Sequence, residues 1–205
     1  MIKNVVFDIG NVLIDFSWRN TMRDCGIKEE NLERIAKATV MSPNWNELDR
    51  GVLSEDEILE KFVESDPEFE DDIRRFFARV TESMPPFDYS ENWLGSLRRR
   101  GYKVYLLSNF SNYNFNVNVP RYTFLKETDG KIISYLYKCV KPERKIYEIL
   151  LDKYSLKADE CVFIDDREDN IEAAKALGFN GIVFKSYEDA SKKLNELLKK
   201  EGANG

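Results

Sequence analysis

Val5-Val6-Phe7-Asp8-Ile9-Gly10-Asn11 runs three apolar residues into an aspartate, and then into a glycine and an asparagine. A short apolar run bounded by turn-forming residues is the pattern of a strand buried on both faces. The pattern returns at Val104-Tyr105-Leu106-Leu107, ending in Ser108-Asn109, and at Val162-Phe163-Ile164, ending in Asp165-Asp166. A fourth run, Ile182-Val183-Phe184, follows. Helical patterns lie between them. One starts at Pro142, expected in a first turn, with apolar residues at 146, 149 and 150; another runs from Ile171 to Leu177 and is closed by Gly178. Strands alternating with helices predict an α/β fold with a parallel sheet and right-handed crossovers.

Residues 17–84 interrupt this alternation with helical periodicity, many charges and no strand pattern. Ser42-Pro43 and Ser54-Glu55-Asp56-Glu57 read as helix starts, the second as a capping box, and Pro85-Pro86 closes the block. The expected organisation is a sheet domain of residues 1–16 and 85–205 carrying a helical insertion of residues 17–84. The stretch 109–118 holds Asn109, Asn112, Asn114, Asn116 and Asn118 and reads as an irregular surface loop or a short, poor helix.

Composition removes whole classes of chemistry. The 205 residues include no histidine, which excludes Ser-His-Asp and Cys-His catalysis and every imidazole metal site. Cys25, Cys139 and Cys161 are odd in number and far apart, a usage that fits a reducing compartment. A net charge of −6 without a basic run argues against nucleic acid or an anionic membrane as partner. No apolar run approaches the roughly twenty residues of a membrane helix, and no signal peptide is evident, so a cytoplasmic location is expected. Catalysis would have to rest on carboxylates, hydroxyls, lysine or a hard cation.

Polar groups at the carboxyl ends of strands in an open parallel sheet converge on one crevice. Asp8, Ser108-Asn109 and Asp165-Asp166 all stand at such ends. In this arrangement Val-Val-Phe-Asp8-Ile-Gly-Asn resembles the first motif of the haloacid dehalogenase superfamily. Leu-Leu-Ser108-Asn109 is similar to its second motif, Lys141-Pro142-Glu143 with Ile146-Tyr147 to its third, and Phe-Ile-Asp165-Asp166-Arg-Glu-Asp-Asn170 to its fourth.

The resemblance implies a Rossmann-like core with a small helical cap, and phosphoryl transfer through an aspartyl-phosphate on Asp8. It implies Mg²⁺ held by Asp8, the Gly10 carbonyl and Asp166, with Asp165 behind them. Ser108 and the Asn109 backbone N–H would hold the transferring oxygens, and Lys141 would neutralise charge. The implied activity is a Mg²⁺-dependent phosphatase for a small phosphorylated metabolite such as a sugar phosphate. The rival readings are a metal-independent dehalogenase and a catalytically weak phosphate-binding protein.

One position departs from the superfamily's pattern. Its phosphatases usually carry a second aspartate two residues after the nucleophile, as general acid and base, where this chain has Gly10. A subgroup with Asp-x-Gly-Asn, to which bacterial α-glucose-1-phosphate phosphatases belong, shares that feature. A glycine there favours leaving groups that tolerate negative charge, such as an anomeric oxygen, an acyl group or a phenolate. Asp15 is the nearest acid in sequence that could take the proton role. Trp18, Arg19, Trp45 and Arg50 are candidate pocket residues of the insertion. Cys161 and Arg167 have the spacing of a cysteine-phosphatase loop, but Cys161 opens an apolar run and reads as a buried strand residue.

Overall fold

The computed structural model describes residues 1–202, with side chains through residue 199. Strand β1 (Asn4–Phe7) is followed by five helices: α1 (Trp18–Asp24), α2 (Leu32–Ala38), α3 (Pro43–Arg50), α4 (Glu55–Ser65) and α5 (Glu70–Arg79). Then come α6 (Ser90–Arg99), β2 (Lys103–Ser108), α7 (Asn112–Asn118), β3 (Gly130–Ile133), α8 (Ser134–Tyr137) and α9 (Arg144–Tyr154). The chain closes with β4 (Cys161–Asp165), α10 (Glu168–Lys175), β5 (Asn180–Val183) and α11 (Tyr187–Gly202).

The five strands are all parallel, in the order β3-β2-β1-β4-β5. The winding reverses at β1, so the crevice at its carboxyl end opens between β2 and β4. Alternation along β1 sends Val5 and Phe7 to one face and Val6 to the other. Five strands form where four apolar runs were read. The extra one, β3, begins Gly130-Lys131 and is too short and too polar to stand out. Helix α9 has Glu143 as its N-cap, so Pro142 lies before the helix rather than in its first turn. Gly178, at φ +94°, supplies the left-handed turn after α10.

Helices α1 to α5 fill the insertion, and the capping box forms as its residues predict: Ser54 Oγ accepts from Glu57 N at 3.2 Å while Glu57 Oε2 accepts from Ser54 N at 2.8 Å. The two connecting segments lie side by side. Asp15 N donates to Pro85 O, Ser17 N to Ser83 O and Phe87 N to Leu13 O, at 2.9, 2.9 and 3.0 Å. Ile35, Phe62 and Phe76 of the insertion are fully buried and continuous with Val5, Phe7 and Val104 of the sheet. The apolar core therefore passes from sheet to insertion without a break.

The asparagine-rich stretch forms the short helix α7 and is not a surface loop. Ser111 Oγ caps it by accepting from Asn114 N, and Asn114, Phe115 and Asn118 face inward. Asn118 Nδ2 donates to Asn114 O at 2.9 Å and to Thr81 O at 3.2 Å, tying α7 to the base of the insertion.

Behind β1, the Trp93 ring packs edge-on against Phe7 with centroids 4.8 Å apart and against Tyr187 at 5.2 Å. Replacing a buried aromatic leaves a cavity, so Trp93→Ala should lower the unfolding free energy by about 3–5 kcal/mol in urea titration. A loss under about 1 kcal/mol would mean that this aromatic cluster does not support β1.

Candidate active site

The centre of the site is one lysine between two carboxylates. Lys141 is 3% exposed, and its Nζ lies 2.9 Å from Asp8 Oδ1 and 2.6 Å from Asp165 Oδ2. Asp8 is 7% and Asp165 0% exposed. Asp8 follows β1, with its backbone N–H bonded to Ile164 O of β4 at 2.9 Å. Its Oδ1 also accepts from Ile9 N and from Ser108 Oγ, each at 2.7 Å. Three donors thus converge on Oδ1, whereas among the described residues Oδ2 accepts no hydrogen bond and is free to face a ligand.

Asp165 faces the other way. It takes Lys141 Nζ, Arg167 N at 2.9 Å and Asn170 Nδ2 at 3.0–3.1 Å, which occupies both of its oxygens. Asn109 pairs with the backbone of Lys141 in both directions: Nδ2 donates to Lys141 O at 3.0 Å and Oδ1 accepts from Lys141 N at 2.8 Å. The side chain of Asn109 therefore fixes the lysine, while its own backbone stands at the end of β2. Burial disfavours the charge on Lys141, but Asp165 and Asp8 outweigh it and raise its pKa.

Asp166 completes an acidic cluster. Ligand oxygens of Asp8, Asp165 and Asp166 all lie within 4.8 Å of one another. Asn11, in the left-handed conformation at φ 54°, donates Nδ2 to Asp166 Oδ2 at 3.0 Å. Burial pushes the Asp8 pKa up to about 7, opposed by Lys141 and reinforced by Asp165 and Asp166. Burial also raises that of Asp166. Three carboxylates and one ammonium leave an excess of negative charge in a desolvated place. The donor set is all hard oxygen, which suits a cation such as Mg²⁺ and not a soft metal.

Beside this cluster lies a cavity of about 60 Å³, walled by Gly10, Phe16, Trp45, Asp49, Asn109 and Phe110 among others. Of the insertion candidates only Trp45 reaches it. Trp18 packs under the Arg19 guanidinium, 4.1 Å from the ring centroid, and Arg19 pairs with Glu33 at the surface. Arg50, at the end of α3, pairs with Glu143, the N-cap of α9, at 2.6 Å. Asp15 does not line the cavity. Cys161 is a free, buried thiol raised to about 11 by burial, and Arg167 pairs with Asp169. A larger open groove of about 850 Å³ between α4 and α7 touches none of Asp8, Ser108, Lys141 or Asp166.

Asp49 was not singled out from the sequence, although a signal existed. It stands four residues after Trp45 on α3, and positions i and i+4 share a helix face. Arg50, the neighbour that did attract notice, lies off that face.

Comparison with known proteins places this geometry. Residues 2–178 match the model of the haloacid dehalogenase-like hydrolase family. A sesquiterpene phosphatase of Aspergillus oryzae is 27% identical over 180 residues, covering 88% of each chain. A D-ribitol-5-phosphate phosphatase of Bacteroides thetaiotaomicron is 28% identical over 197 residues, covering 87% of this chain and 90% of the relative. Among solved structures, a HAD family enzyme of Bacteroides thetaiotaomicron in complex with magnesium and inorganic phosphate superposes with a TM-score of 0.71 at 23% identity, covering 91% of this chain and 96% of the other. In two longer curated relatives the match covers 37% and 19% of the relative's length. No described helix is long and apolar enough to cross a membrane.

Removing the ammonium would strand two buried carboxylates. Lys141→Met should therefore cost about 3–5 kcal/mol of unfolding free energy in urea, measured without added metal. Unchanged stability would show that Asp8 and Asp165 do not depend on it.

Proposed function

The chain belongs to the haloacid dehalogenase-like hydrolases, and within that family we propose that it is a Mg²⁺-dependent phosphatase of small phosphorylated metabolites, sugar phosphates among them. The observation that carries the reading is Asp8. Its Oδ1 is tied down by Ser108 and Lys141, its Oδ2 is open, and Asp166 stands beside it. The phosphatase names of the two curated relatives support the same reaction.

Asp8 Oδ2 attacks phosphorus in line with the leaving oxygen, forming an aspartyl-phosphate as the P–O ester bond breaks. Ser108 shifts its hydrogen bond from Asp8 Oδ1 to a phosphoryl oxygen, and the Asn109 backbone N–H holds another. Lys141 balances the charge gathering on Asp8 and the phosphoryl group. Asp8, the Gly10 carbonyl and Asp166 would hold Mg²⁺, whose charge would offset that of the acidic cluster toward a phosphate dianion. Asp165 keeps Lys141 in place. Water then cleaves the aspartyl-phosphate and frees Asp8. Halide displacement without metal would leave Asp166 uncompensated, which weighs against the dehalogenase alternative. A silent binding protein has no need of an open carboxylate oxygen held for attack.

Phosphate release from 4-nitrophenyl phosphate tests the reading. Asp8→Asn should reduce turnover to background with an unchanged circular dichroism spectrum; wild-type-like turnover would refute the mechanism. Activity should vanish in excess chelator and return with Mg²⁺. Asp166→Ala should raise the Mg²⁺ concentration for half-maximal activity by more than about tenfold, since losing even a supporting group typically weakens metal binding that much. Full activity in chelator would favour the halide-displacing alternative.

A further inference from the structure

The departing oxygen of an alkyl phosphate needs a proton, and position 10 has no group to give it. We propose that Asp49, carried by helix α3 of the insertion, donates that proton and later takes one from the attacking water. The proposal rests on the phosphatase reading and extends it to the one catalytic role left vacant.

The cavity beside Asp8 has one titratable side chain in its wall, Asp49. Asp49 is 7% exposed and, among the described residues, forms no ion pair, in contrast to Asp8 and Asp165, which share Lys141. A buried carboxyl without a cation is costly as an anion, so a fold that retains one is holding it for the neutral, proton-bearing form. Burial, and then the charge of Asp8, push its pKa up to about 8, with Lys141 and the Ser111 N–H opposing.

Asp49 is also held in place relative to the reacting groups, although it comes from a different part of the chain. Ser134 Oγ donates to Asp49 O at 2.6 Å and accepts from Phe110 N at 2.9 Å, two residues beyond Ser108. The next residue, Arg50, pairs with Glu143, two residues beyond Lys141. Gly51 then lets the helix end pass close to Tyr135, where a Cβ would sit 2.9 Å from that side chain. The last turn of α3 is thus linked, through Ser134, to the segment that follows Ser108 and, through Glu143, to the one that follows Lys141.

The steps balance. As Asp8 Oδ2 bonds to phosphorus and the P–O ester bond breaks, the Asp49 O–H proton moves to the departing oxygen, giving an alcohol and an Asp49 carboxylate. That carboxylate accepts a proton from water as the water oxygen bonds to phosphorus and the Asp8–phosphorus bond breaks. Phosphate leaves, and both aspartates return to their starting states.

The test is kcat/KM for wild type, Asp49→Asn, Gly10→Asp and the double variant, on 4-nitrophenyl phosphate and on alkyl phosphates of similar size, with Mg²⁺ present. A Cβ at Gly10 meets nothing within 4 Å, so the first side-chain atom of an aspartate has room there. Asp49→Asn should lower kcat/KM for alkyl phosphates by about 10²–10⁴, the usual worth of general acid catalysis, and for 4-nitrophenyl phosphate by less than about tenfold. With the latter substrate the variant should also show a burst of nitrophenolate, because the second step has lost its base. Gly10→Asp should restore alkyl phosphate turnover in the Asp49→Asn background, a rescue that a packing role would not allow. A gain of more than about tenfold in alkyl phosphate turnover by Gly10→Asp alone would show the role unfilled in wild type and overturn the proposal even if Asp49→Asn fails to fold. Equal losses on both substrates, or none, would overturn it too, and would leave the phosphatase reading standing if Asp8→Asn is inactive. No phosphate release by wild type from any substrate would overturn that reading and this proposal together.

Discussion

A single ammonium group, Lys141 Nζ, joins three strands' worth of structure. It reaches Asp8 beyond β1 and Asp165 at the end of β4, and Asn109 beyond β2 clasps its backbone. None of these carboxylates could be buried as an anion without it, because desolvation of an unpaired charge costs several kcal/mol. The pairing also decides direction. With Oδ1 of Asp8 engaged by Lys141, Ser108 and Ile9, only Oδ2 is left to meet a ligand.

One lysine does not balance three acids, and that imbalance leaves the cluster suited to a hard cation. Asp166 is braced by Asn11 rather than by a cation, while Asp165 is saturated by Lys141, Arg167 N and Asn170. The two adjacent aspartates therefore have different work, one facing the crevice and one holding the lysine. The distinction comes from which neighbours satisfy each carboxylate, since both residues lie at the end of the same strand.

Helix α3 adds Trp45 and Asp49 to the wall of the cavity beside this centre. The apolar side chains of α1 to α5 merge with the sheet's core, Ser134–Asp49 fastens α3 to the start of α8, and Arg50–Glu143 fastens it to the segment before α9. Arg50, which looked like a pocket residue, is a strut. Asp49, beside it in sequence, faces the cavity because a step of one residue on a helix turns the side chain by about 100°.

The sheet could be read directly from the chain, because strands buried on both faces are apolar throughout and give way to polar residues at the crevice where they end. Val5-Val6-Phe7-Asp8 and Val162-Phe163-Ile164-Asp165-Asp166 carry that signal in a few residues each, and the helical insertion follows from the loss of any strand pattern between residues 17 and 84. Strand β3 and the inward face of α7 could not be read this way, since Lys131 and the asparagines hide them among polar residues. Nor could the partners of Asp8: the order of residues places Ser108 and Lys141 at distant points, and only packing brings their atoms within 3 Å. The position of Asp49 is the clearest case. Local sequence sets the helix and the face on which the carboxyl lies, but whether that face meets solvent or the cavity beside Asp8 is decided by tertiary contacts far away in the chain.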